Sequence, residues 1–309
     1  MFERAATGSR LGAIRAVTFA APDLAAIEAA YCGVLGYRIA ARGQVAPAQA
    51  EAWAAPAVAG RATLTLEPAS GEAAHLRFVH SPAAVGWQAL KTFGWNATEF
   101  VVQDVDGLAA RLDGGPFRII GAPKALTRFP MIRAMQAIGP AGECCYFTQV
   151  GPGSGLDLAP ALSDVGRVFI VVGAGPDADA LFAPYRTLRA PIDPPVSTPV
   201  RVISDAHGLP PETLHAHGLV RLKLGTLVEL DGYPASAVAR PVAPGELPPG
   251  MAIVSFEADE ADLRAGAGLA FLTSPTPSDL PGAASAACLR GAVGELIELV
   301  CLRSREIAA

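Results

Sequence analysis

The 309-residue sequence has no cluster of basic residues, no membrane-length apolar segment and no paired-cysteine motif. Its formal net charge is −5 at pH 7, so it lacks the concentrated Lys and Arg that neutralise phosphates, and we expect no nucleic-acid partner. The N-terminus lacks the apolar stretch of a signal peptide, and no segment has the length of a membrane span. Five cysteines without a CxxC pair make a disulfide framework or a thiolate zinc site unexpected. These absences predict a soluble, cytoplasmic protein with no membrane partner.

Several well-known catalytic motifs are also missing. The sequence contains no P-loop, no Rossmann glycine pattern, no GxSxG and no HExxH. It is, however, 51% hydrophobic, which is typical of a globular protein and not of a disordered one. Its length is sufficient for two domains with cores of ordinary size.

The sequence contains the same turn-into-strand segment twice. GPAGECCYF covers residues 139–147, and GAVGELIEL covers residues 291–299. Each has two glycines, then Glu, then an apolar strand. Tyr146 in the first copy is replaced by Glu298 in the second, 152 residues later. A repeat at this spacing indicates a duplicated module.

Each half of the chain contains two units of similar order. In the first unit, residues 14–19 are predicted as a strand, and Pro22-Asp23 as a helix start before an apolar helical pattern that ends near Gly36. The second unit repeats this order, with Asp104 as the predicted N-cap of a helix at 105–112. The Gly- and Pro-rich segment 151–160 is the best linker. We predict an N-terminal module at 1–150, a linker at 151–164 and a C-terminal module at 165–309.

Three motifs in this order resemble one family. They are V-x-F-x-x-P-D-L…Y-x-x-V-L-G-Y at Val17–Tyr37, F-x-x-x-D-V-D-x-L at Phe100–Leu108, and G-P-x-G-E leading into a strand. Together they resemble the vicinal oxygen chelate superfamily, which includes glyoxalase I, extradiol dioxygenases and bleomycin-resistance proteins. The resemblance covers residues 12–150 and, more weakly, 165–302. It implies an α+β fold of paired βαβββ units, each pair curling into a half-barrel around a cavity.

The resemblance also implies a divalent metal such as Fe, Mn, Zn or Ni in that cavity. Its ligands would come from the first strands of two successive units and from the strand after the GxxGE-like turn. The matching positions are Ala16, Ala97 and Tyr146 in the first half, and Arg167 (Ile170 without a gap), Met251 or Ala252, and Glu298 in the second. Glu298 is the only residue of ligand type that is retained, because Arg stays protonated and alanine has no donor atom. We therefore predict no metal and no other cofactor.

Glu298 shares a strand face with apolar neighbours, where a carboxylate needs a partner. Arg167 is the candidate, because both residues align with ligand positions that converge in the family. A functional interpretation is a charged pair that holds a ligand in place of the metal. The structural alternatives are a relic salt bridge, or an exposed Arg167 with Glu298 facing solvent.

Glu99 and Tyr146 form a second candidate pair. Glu99 lies two residues after Ala97 and shares its face, as Thr148 shares that of Tyr146. An inward Glu beside a Tyr hydroxyl could act as general base and proton donor. The alternative is a Glu on the outer face of the sheet.

Three histidines, His207, His215 and His217, lie in the Pro- and Gly-rich segment DAHGLPPETLHAHGL. HxH can bind a metal, but these residues are not at the family's ligand positions. A solvated loop is the favoured interpretation. A loop that covers a cavity and contributes to specificity is the alternative.

The sequence thus predicts a small-molecule enzyme with candidate catalytic residues Glu298, Arg167, Tyr146 and Glu99. The family suggests a lyase or isomerase acting on an oxygenated metabolite, aromatic ones included. The alternative is a non-catalytic sequestering protein of the bleomycin-resistance type, with Trp87, Trp95 and Phe100 lining its cavity. The expected partner is a small molecule, and a homodimer is compatible with the sequence.

Overall fold

The computed structural model describes residues 9–303, apart from 83–85, 128, 155–157, 159, 266 and 267. Within these residues the chain forms four units of one design, a strand, a helical segment and three strands, as the sequence predicts. Unit 1 comprises β1 (Ile14–Ala21), α1 (Leu24–Gly33), β2 (Arg38–Gln44), α2 (Pro47–Ala52), a 3₁₀ turn (Pro56–Val58), β3 (Ala62–Glu67) and β4 (His75–His80). Unit 2 comprises β5 (Gly94–Val102), α3 (Val105–Leu112), β6 (Arg118–Ala125), β7 (Ile132–Ile138) and β8 (Cys144–Val150).

The second half repeats the same order. Unit 3 comprises β9 (Val165–Gly175), α4 (Ala178–Leu181), α5 (Ala183–Thr187), β10 (Val196–Pro199), α6 (Arg201–His207), β11 (Leu214–Arg221), a 3₁₀ turn (Lys223–Gly225) and β12 (Leu227–Gly232). Unit 4 comprises β13 (Gly250–Glu257), α7 (Glu260–Ala265), β14 (Thr276–Pro277), β15 (Ala283–Arg290) and β16 (Leu296–Leu302). Among the described residues, no helix has the length and apolar character needed to cross a membrane.

Aspartates start the helices that follow the first strands. The Asp23 carboxylate accepts from the Ala25 and Ala26 amides at 2.9 and 3.0 Å. Asp104 and Asp177 cap α3 and α4 in the same way. Each cap satisfies amides that have no partner within the helix, at a gain of about 1 kcal/mol. The short Asp signals in the sequence therefore predict these helix starts correctly.

The strands form two eight-stranded sheets. The first sheet has the order β14-β15-β16-β13-β1-β4-β3-β2, and the second has β10-β11-β12-β9-β5-β8-β7-β6. Units 1 and 4 thus build the first sheet, and units 2 and 3 build the second. The expectation that each half of the chain curls into its own half-barrel is wrong. The boundaries at 1–150 and 165–309 mark the sequence repeat, and the linker at 151–164 joins β8 to β9 inside the second sheet.

The first strands of the paired units determine this arrangement. β1 lies antiparallel to β13, with Val17 opposite Val254. β5 lies antiparallel to β9, with Thr98 opposite Val171. The fourth strand of each unit then pairs in parallel with its own first strand. Because each unit brings the same pattern, each sheet has an approximate twofold relation between its two units.

The outer faces of the two sheets share one apolar core with the helices. Phe19 stacks on Phe78 with ring centroids 5.0 Å apart, and Phe100 stacks on Phe147 at 5.4 Å. All four rings are fully buried, which stabilises the fold by about 1.5–3 kcal/mol each. Trp95 belongs to the same core, so the prediction that Phe100 and Trp95 line a cavity is wrong.

The first copy of the repeated turn is held by its glutamate. The Glu143 carboxylate accepts from the Ala141 amide and from the Tyr31 hydroxyl, each at 2.8 Å. A Cβ on Gly139 would lie 2.1 Å from Glu143 Oε1, so any other residue there would displace the Glu143 carboxylate from the turn. Gly142 has φ of +79°, a conformation that glycine adopts without strain. Burial raises the pKa of Glu143 to about 7, against the opposing effect of these hydrogen bonds.

The second copy uses the same geometry. Glu295 accepts from the Val293 amide at 3.0 Å. A Cβ on Gly291 would lie 1.9 Å from Glu295 Oε1, and Gly294 has φ of +91°. The turn recurs in the sequence because both copies fold the glutamate back onto the turn before an inner strand.

Candidate functional site

The inner faces of the sheets form two cups. The first cup is defined by four positions in the first sheet, and the second cup by the four equivalent positions in the second sheet. Each unit contributes two of the four positions. One is the third residue of its fourth strand, and the other is the residue paired with it in register on the first strand. In the first cup these pairs are Arg77 beside Thr18 and Glu298 beside Ser255. In the second cup they are Tyr146 beside Glu99 and Glu229 beside Val172.

A buried ion pair occupies the first cup. Arg77 Nη2 lies 3.1 Å from Glu298 Oε2, and the two side chains are 0% and 2% exposed. The Glu298 carboxylate also accepts from Trp53 Nε1 at 2.8 Å and from the Ser255 hydroxyl at 2.5 Å. Burial opposes the charge on Arg77, but the carboxylates of Glu298 and Asp279 outweigh it and raise the Arg77 pKa.

The remaining polar atoms of this network are also paired. Arg77 Nε donates to the Thr18 hydroxyl at 2.9 Å, and Arg77 Nη1 donates to Asp279 at 2.7 Å. The Trp53 ring lies 4.5 Å from the guanidinium carbon, a cation–π contact. Gln49 donates to the same Asp279 oxygen at 2.7 Å. With every charged group paired, this network is suited to holding the sheet together and leaves no reactive group.

A cavity of about 370 Å³ opens beside the ion pair in the first sheet. Its walls combine apolar and basic side chains, among them Leu280, Pro281, Val300, Arg15, His75 and Arg303. His75 and Val300 are each two residues along the strand from the ion pair, on the same face. The volume is in the range of small-molecule pockets.

Glu99 and Tyr146 lie side by side in the second cup. Glu99 is 9% exposed and accepts a hydrogen bond from the Thr148 hydroxyl. Burial raises the pKa of Glu99 to about 8, while the Thr148 bond opposes the shift and the nearby Glu229 carboxylate adds to it. Burial, followed by the nearby Cys144, raises the Tyr146 pKa well above its ordinary value. Tyr146 is therefore a neutral phenol, and Glu99 titrates near neutral pH.

Two further carboxyl groups face the second cup from β12. Glu229 and Asp231 are two residues apart on one strand face and share a hydrogen bond between their side chains. Burial raises the pKa of both, and the proximity of Glu229 raises that of Asp231 further. His217 lies opposite Asp231 on β11. Together with Glu99, the second cup thus has three carboxyl groups.

Two buried polar atoms of this cup have no partner among the described residues. They are Asp231 Oδ1 and the Tyr233 hydroxyl, on side chains that are 2% and 6% exposed. An unsatisfied buried group costs about 1–3 kcal/mol. Groups of this kind, together with shifted pKa values, concentrate at functional sites.

The predicted Arg167–Glu298 pair is wrong. Arg167 lies on β9 in the second sheet, where its Nε is 3.7 Å from Glu72 Oε1 and its Nη2 donates to the Leu224 carbonyl. Glu298 lies in the first sheet and pairs with Arg77 instead. The cause is the pairing of unit 4 with unit 1, which places the first strand of unit 3 in the other sheet.

The first-strand positions inferred from the sequence also differ from the register in the structure. Thr18 and Glu99, not Ala16 and Ala97, are the neighbours of the fourth-strand residues. In the second half the neighbours are Val172 and Ser255, not Arg167 or Ile170 and not Met251 or Ala252. Irregularities in the β1–β13 and β5–β9 ladders accompany these shifts, and a bulge moves register without a sequence signal.

The histidine segment is not a loop. His207 ends α6, and His215 and His217 lie on β11. His215 Nε2 is 3.0 Å from the Ser204 hydroxyl, and burial lowers its pKa. His217 faces the second cup beside the β12 carboxyl groups.

Sequence reasoning missed Arg77 and Glu229, although a signal was present. They are 152 residues apart (77 to 229), as are Tyr146 and Glu298 (146 to 298). Extending the repeat to the fourth strands of units 1 and 3 would have identified both. Trp53 and Asp279 carry no such signal, because they reach the cup from connections between the strands.

The comparisons with known proteins agree on the architecture. No family model and no curated protein matches the sequence. The structure of glyoxalase I from Zea mays matches with a TM-score of 0.62 at 15% identity, over 94% of this chain and 92% of that chain. A dioxygenase candidate from Bacillus subtilis subsp. subtilis str. 168 matches with a TM-score of 0.62 at 14% identity, over 96% and 87%. The chain has the vicinal oxygen chelate fold. Both modules predicted from the sequence take part in it.

The vicinal oxygen chelate fold implies a divalent metal, which the side chains of this chain do not fit. In the first cup a guanidinium and two hydroxyls accompany Glu298, and a cationic side chain repels a metal ion. In the second cup the residues beside Glu99 and Glu229 are Tyr146 and Val172. Across the described ranges, no group of three or more His, Cys, Asp or Glu is arranged to hold a metal ion.

Proposed function

We propose that the protein is an enzyme of lyase or isomerase type that moves a proton on a small oxygenated metabolite in the second cup, without a divalent metal. The observation that carries this proposal is the buried Glu99, whose pKa is raised to about 8 beside the neutral phenol of Tyr146. A proton-transfer group is most effective when its pKa is close to the working pH.

The two side chains have complementary roles. The Glu99 carboxylate removes a proton from a carbon next to a substrate carbonyl, and the electron pair moves to the carbonyl oxygen. The Tyr146 hydroxyl donates a hydrogen bond to that oxygen as its negative charge develops. On a substrate with a hydroxyl on the deprotonated carbon, the hydroxyl proton passes to the enolate oxygen and Glu99 returns its proton to the former carbonyl carbon, which gives an isomer. Departure of a β-substituent with its bonding electron pair, as the carbonyl re-forms, gives a lyase product instead.

The contrast between the two cups supports the choice of the second. The first cup places Arg77 against Glu298 and leaves no buried charge without a partner. The second cup has a carboxyl group with a near-neutral pKa and unsatisfied polar atoms. The two cups thus differ in whether their buried charged and polar groups are paired, which is the feature that separates a structural network from a reactive site.

The test is a metabolite screen by thermal shift, followed by product detection and by exchange of substrate protons in D2O. Glu99→Gln should lower kcat/KM by about 10²–10⁴-fold. Wild-type kcat/KM should rise with pH to a plateau, with an apparent pKa of about 8. Ser255→Ala, at the position equivalent to Glu99 in the first cup, serves as the matched control and should retain turnover. Full activity of Glu99→Gln, or turnover abolished by a chelator, would contradict the proposal.

A second candidate function rests on the cavity beside the first cup. Its volume of about 370 Å³, apolar walls and basic rim suit a small anionic molecule that is bound but not converted. Such a sequestering protein would be stabilised by its ligand without forming a product. Its binding would be weakened by His75→Ala and would be unaffected by Glu99→Gln.

A further inference from the structure

We propose that the second cup binds an organic cation, a small molecule whose ammonium or amidinium group is held by Glu229 and Asp231. This inference rests on the proposed function, which places a small-molecule ligand in the second cup. It adds the charge of that ligand and the residues that bind it.

The charges that face the second cup are predominantly acidic. Glu99 approaches from β5, and Glu229 and Asp231 approach from β12. Within the described part of the chain, none of these three carboxyl groups has a basic side chain within 4.0 Å. His217 is the nearest titratable base on β11. Arg240 lies near Tyr233, but its guanidinium donates to the carbonyls of residues 95, 249 and 251 and to a threonine hydroxyl.

The unsatisfied atoms require a hydrogen-bond donor. Asp231 Oδ1 can only accept, and its side chain is 2% exposed. The Tyr233 hydroxyl is also without a partner and interacts electrostatically with Asp231 and Glu229, so it is directed toward the same region. A group with several N–H donors can serve the two carboxyl groups and the tyrosine oxygen together. An ammonium or amidinium has this donor set and also supplies the missing positive charge.

The first cup shows how this fold pairs a buried carboxylate at one of its four positions. Glu298 of unit 4 faces Arg77 of unit 1, and the guanidinium neutralises it. By the 152-residue repeat, Glu229 of the second cup stands at the position of Arg77, and Tyr146 stands at that of Glu298. The cation that the chain provides in the first cup is therefore absent from the second, and a ligand can supply it.

The rest of the cup suits an apolar body on the same ligand. Leu90, Phe169, Ile170 and Val202 belong to a buried apolar cluster against which Tyr146 of the second cup packs. An aromatic or aliphatic amine would place its charged end on the β12 pair and its apolar part among these side chains. Benzylamine is a simple probe of that shape.

Proton linkage provides a second signature. The buried Glu229–Asp231 pair retains a proton that a cation would displace, so binding should release a proton and tighten as the pH rises. The other titratable groups that face the pair are Glu99, Tyr146, Cys144, Tyr233 and His217. Of these, Glu99 changes the pH dependence near pH 8, and Glu99→Gln removes that contribution from the measurement.

The experiment is isothermal titration calorimetry of the full chain with benzylamine, benzyl alcohol and benzoate at pH 8. Benzylamine should bind at least tenfold more tightly than benzyl alcohol, and benzoate should not bind. Asp231→Asn and, separately, Glu229→Gln should each weaken benzylamine at least tenfold. Asp279→Asn, which alters a carboxylate of the first cup, should leave its affinity unchanged. Titrations at pH 7 in phosphate and in Tris should differ in heat by the ionisation of about one buffer proton.

Three outcomes would overturn this inference. Benzyl alcohol could bind as tightly as benzylamine, or both β12 variants could bind benzylamine like wild type. Alternatively, stoichiometric Mn²⁺ or Zn²⁺ could displace benzylamine, with that metal binding lost in Asp231→Asn, which would identify a metal site. The proposed function fails separately. Turnover that depends on Glu99 without benzylamine binding overturns only the cation, whereas benzylamine binding without turnover of any screened metabolite overturns only the enzyme.

Discussion

Removing the carboxylate of Glu298 should destabilise the protein in a way that depends on Arg77. Arg77 is fully buried, and Glu298 Oε2 is its partner at 3.1 Å. Breaking a buried ion pair by removing one partner costs about 3–5 kcal/mol, because the other charge stays buried. Asp279 still contacts Arg77 Nη1 at 2.7 Å and is one-third exposed, so Glu298→Gln should cost about 3 kcal/mol, at the lower end of this range.

The double variant separates charge from packing. Arg77→Met alone leaves Glu298 buried without its counter-charge and should also cost about 3–5 kcal/mol. Arg77→Met with Glu298→Gln removes both charges and keeps similar volumes. Its cost should therefore be smaller than the sum of the single costs by about 2–3 kcal/mol, as expected for residues in contact.

Urea denaturation at pH 7, followed by tryptophan fluorescence, measures these differences, since Trp53 lies within the network. Glu257→Gln is the matched control. Glu257 pairs with Arg15 between β13 and β1 of the same sheet, but the side chains are 29% and 19% exposed. That pair should be worth less than about 1 kcal/mol. Additive single-variant costs, or an equal loss for Glu257→Gln, would refute the view that Arg77 and Glu298 act as one buried unit.

The second cup and the repeated turn each give one further expectation. Folding raises the pKa of Glu99 from 4.5 to about 8, so the folded state retains a proton and the free energy of unfolding should fall as pH rises through that interval, by up to about 1.4 kcal/mol per pH unit. Glu99→Gln should flatten the decrease in unfolding free energy up to pH 8, whereas Glu143→Gln should flatten it only up to about pH 7. Identical curves of stability against pH for wild type and Glu99→Gln would contradict the raised pKa of Glu99. Gly291→Ala should cost about 1–3 kcal/mol, because its Cβ would lie 1.9 Å from Glu295 Oε1, whereas Gly33→Ala, with no atom within 4 Å of the new Cβ, should cost nothing measurable in the same thermal melts.

Local features of the fold could be predicted from the sequence. Asp23 and Asp104 predict helix starts because a capping side chain binds backbone amides within the next three residues. Apolar alternation identifies the strands because it is read from neighbouring positions. The four βαβββ units follow from these signals and from the 152-residue repeat.

The pairing between units could not be predicted in the same way. A sheet that joins unit 1 to unit 4 depends on contacts between residues such as Val17 and Val254. The sequence around one of these residues contains no signal that identifies the other as its partner. The error over Arg167 has this origin. The proximity of Glu99 and Tyr146 could be predicted because both residues belong to unit 2. The proximity of Glu229 and Asp231 to them could not, because it depends on how unit 3 pairs with unit 2.

The order of the strands has a consequence for how the chain is made. Units 2 and 3 are consecutive, so the second sheet has all its strands once residue 232 has left the ribosome. β1 pairs with β13, and Val254 is 237 residues after Val17, a delay of roughly 12–50 s at ordinary rates of synthesis. During that interval the β1 edge that later meets β13 is unpaired and open to other chains. The protein is therefore assembled from its middle outward. Synthesis that stops between residues 232 and 250 would give a chain with one complete sheet and one half-sheet. Only a chaperone or a neighbouring chain could cover the open edge of that half-sheet.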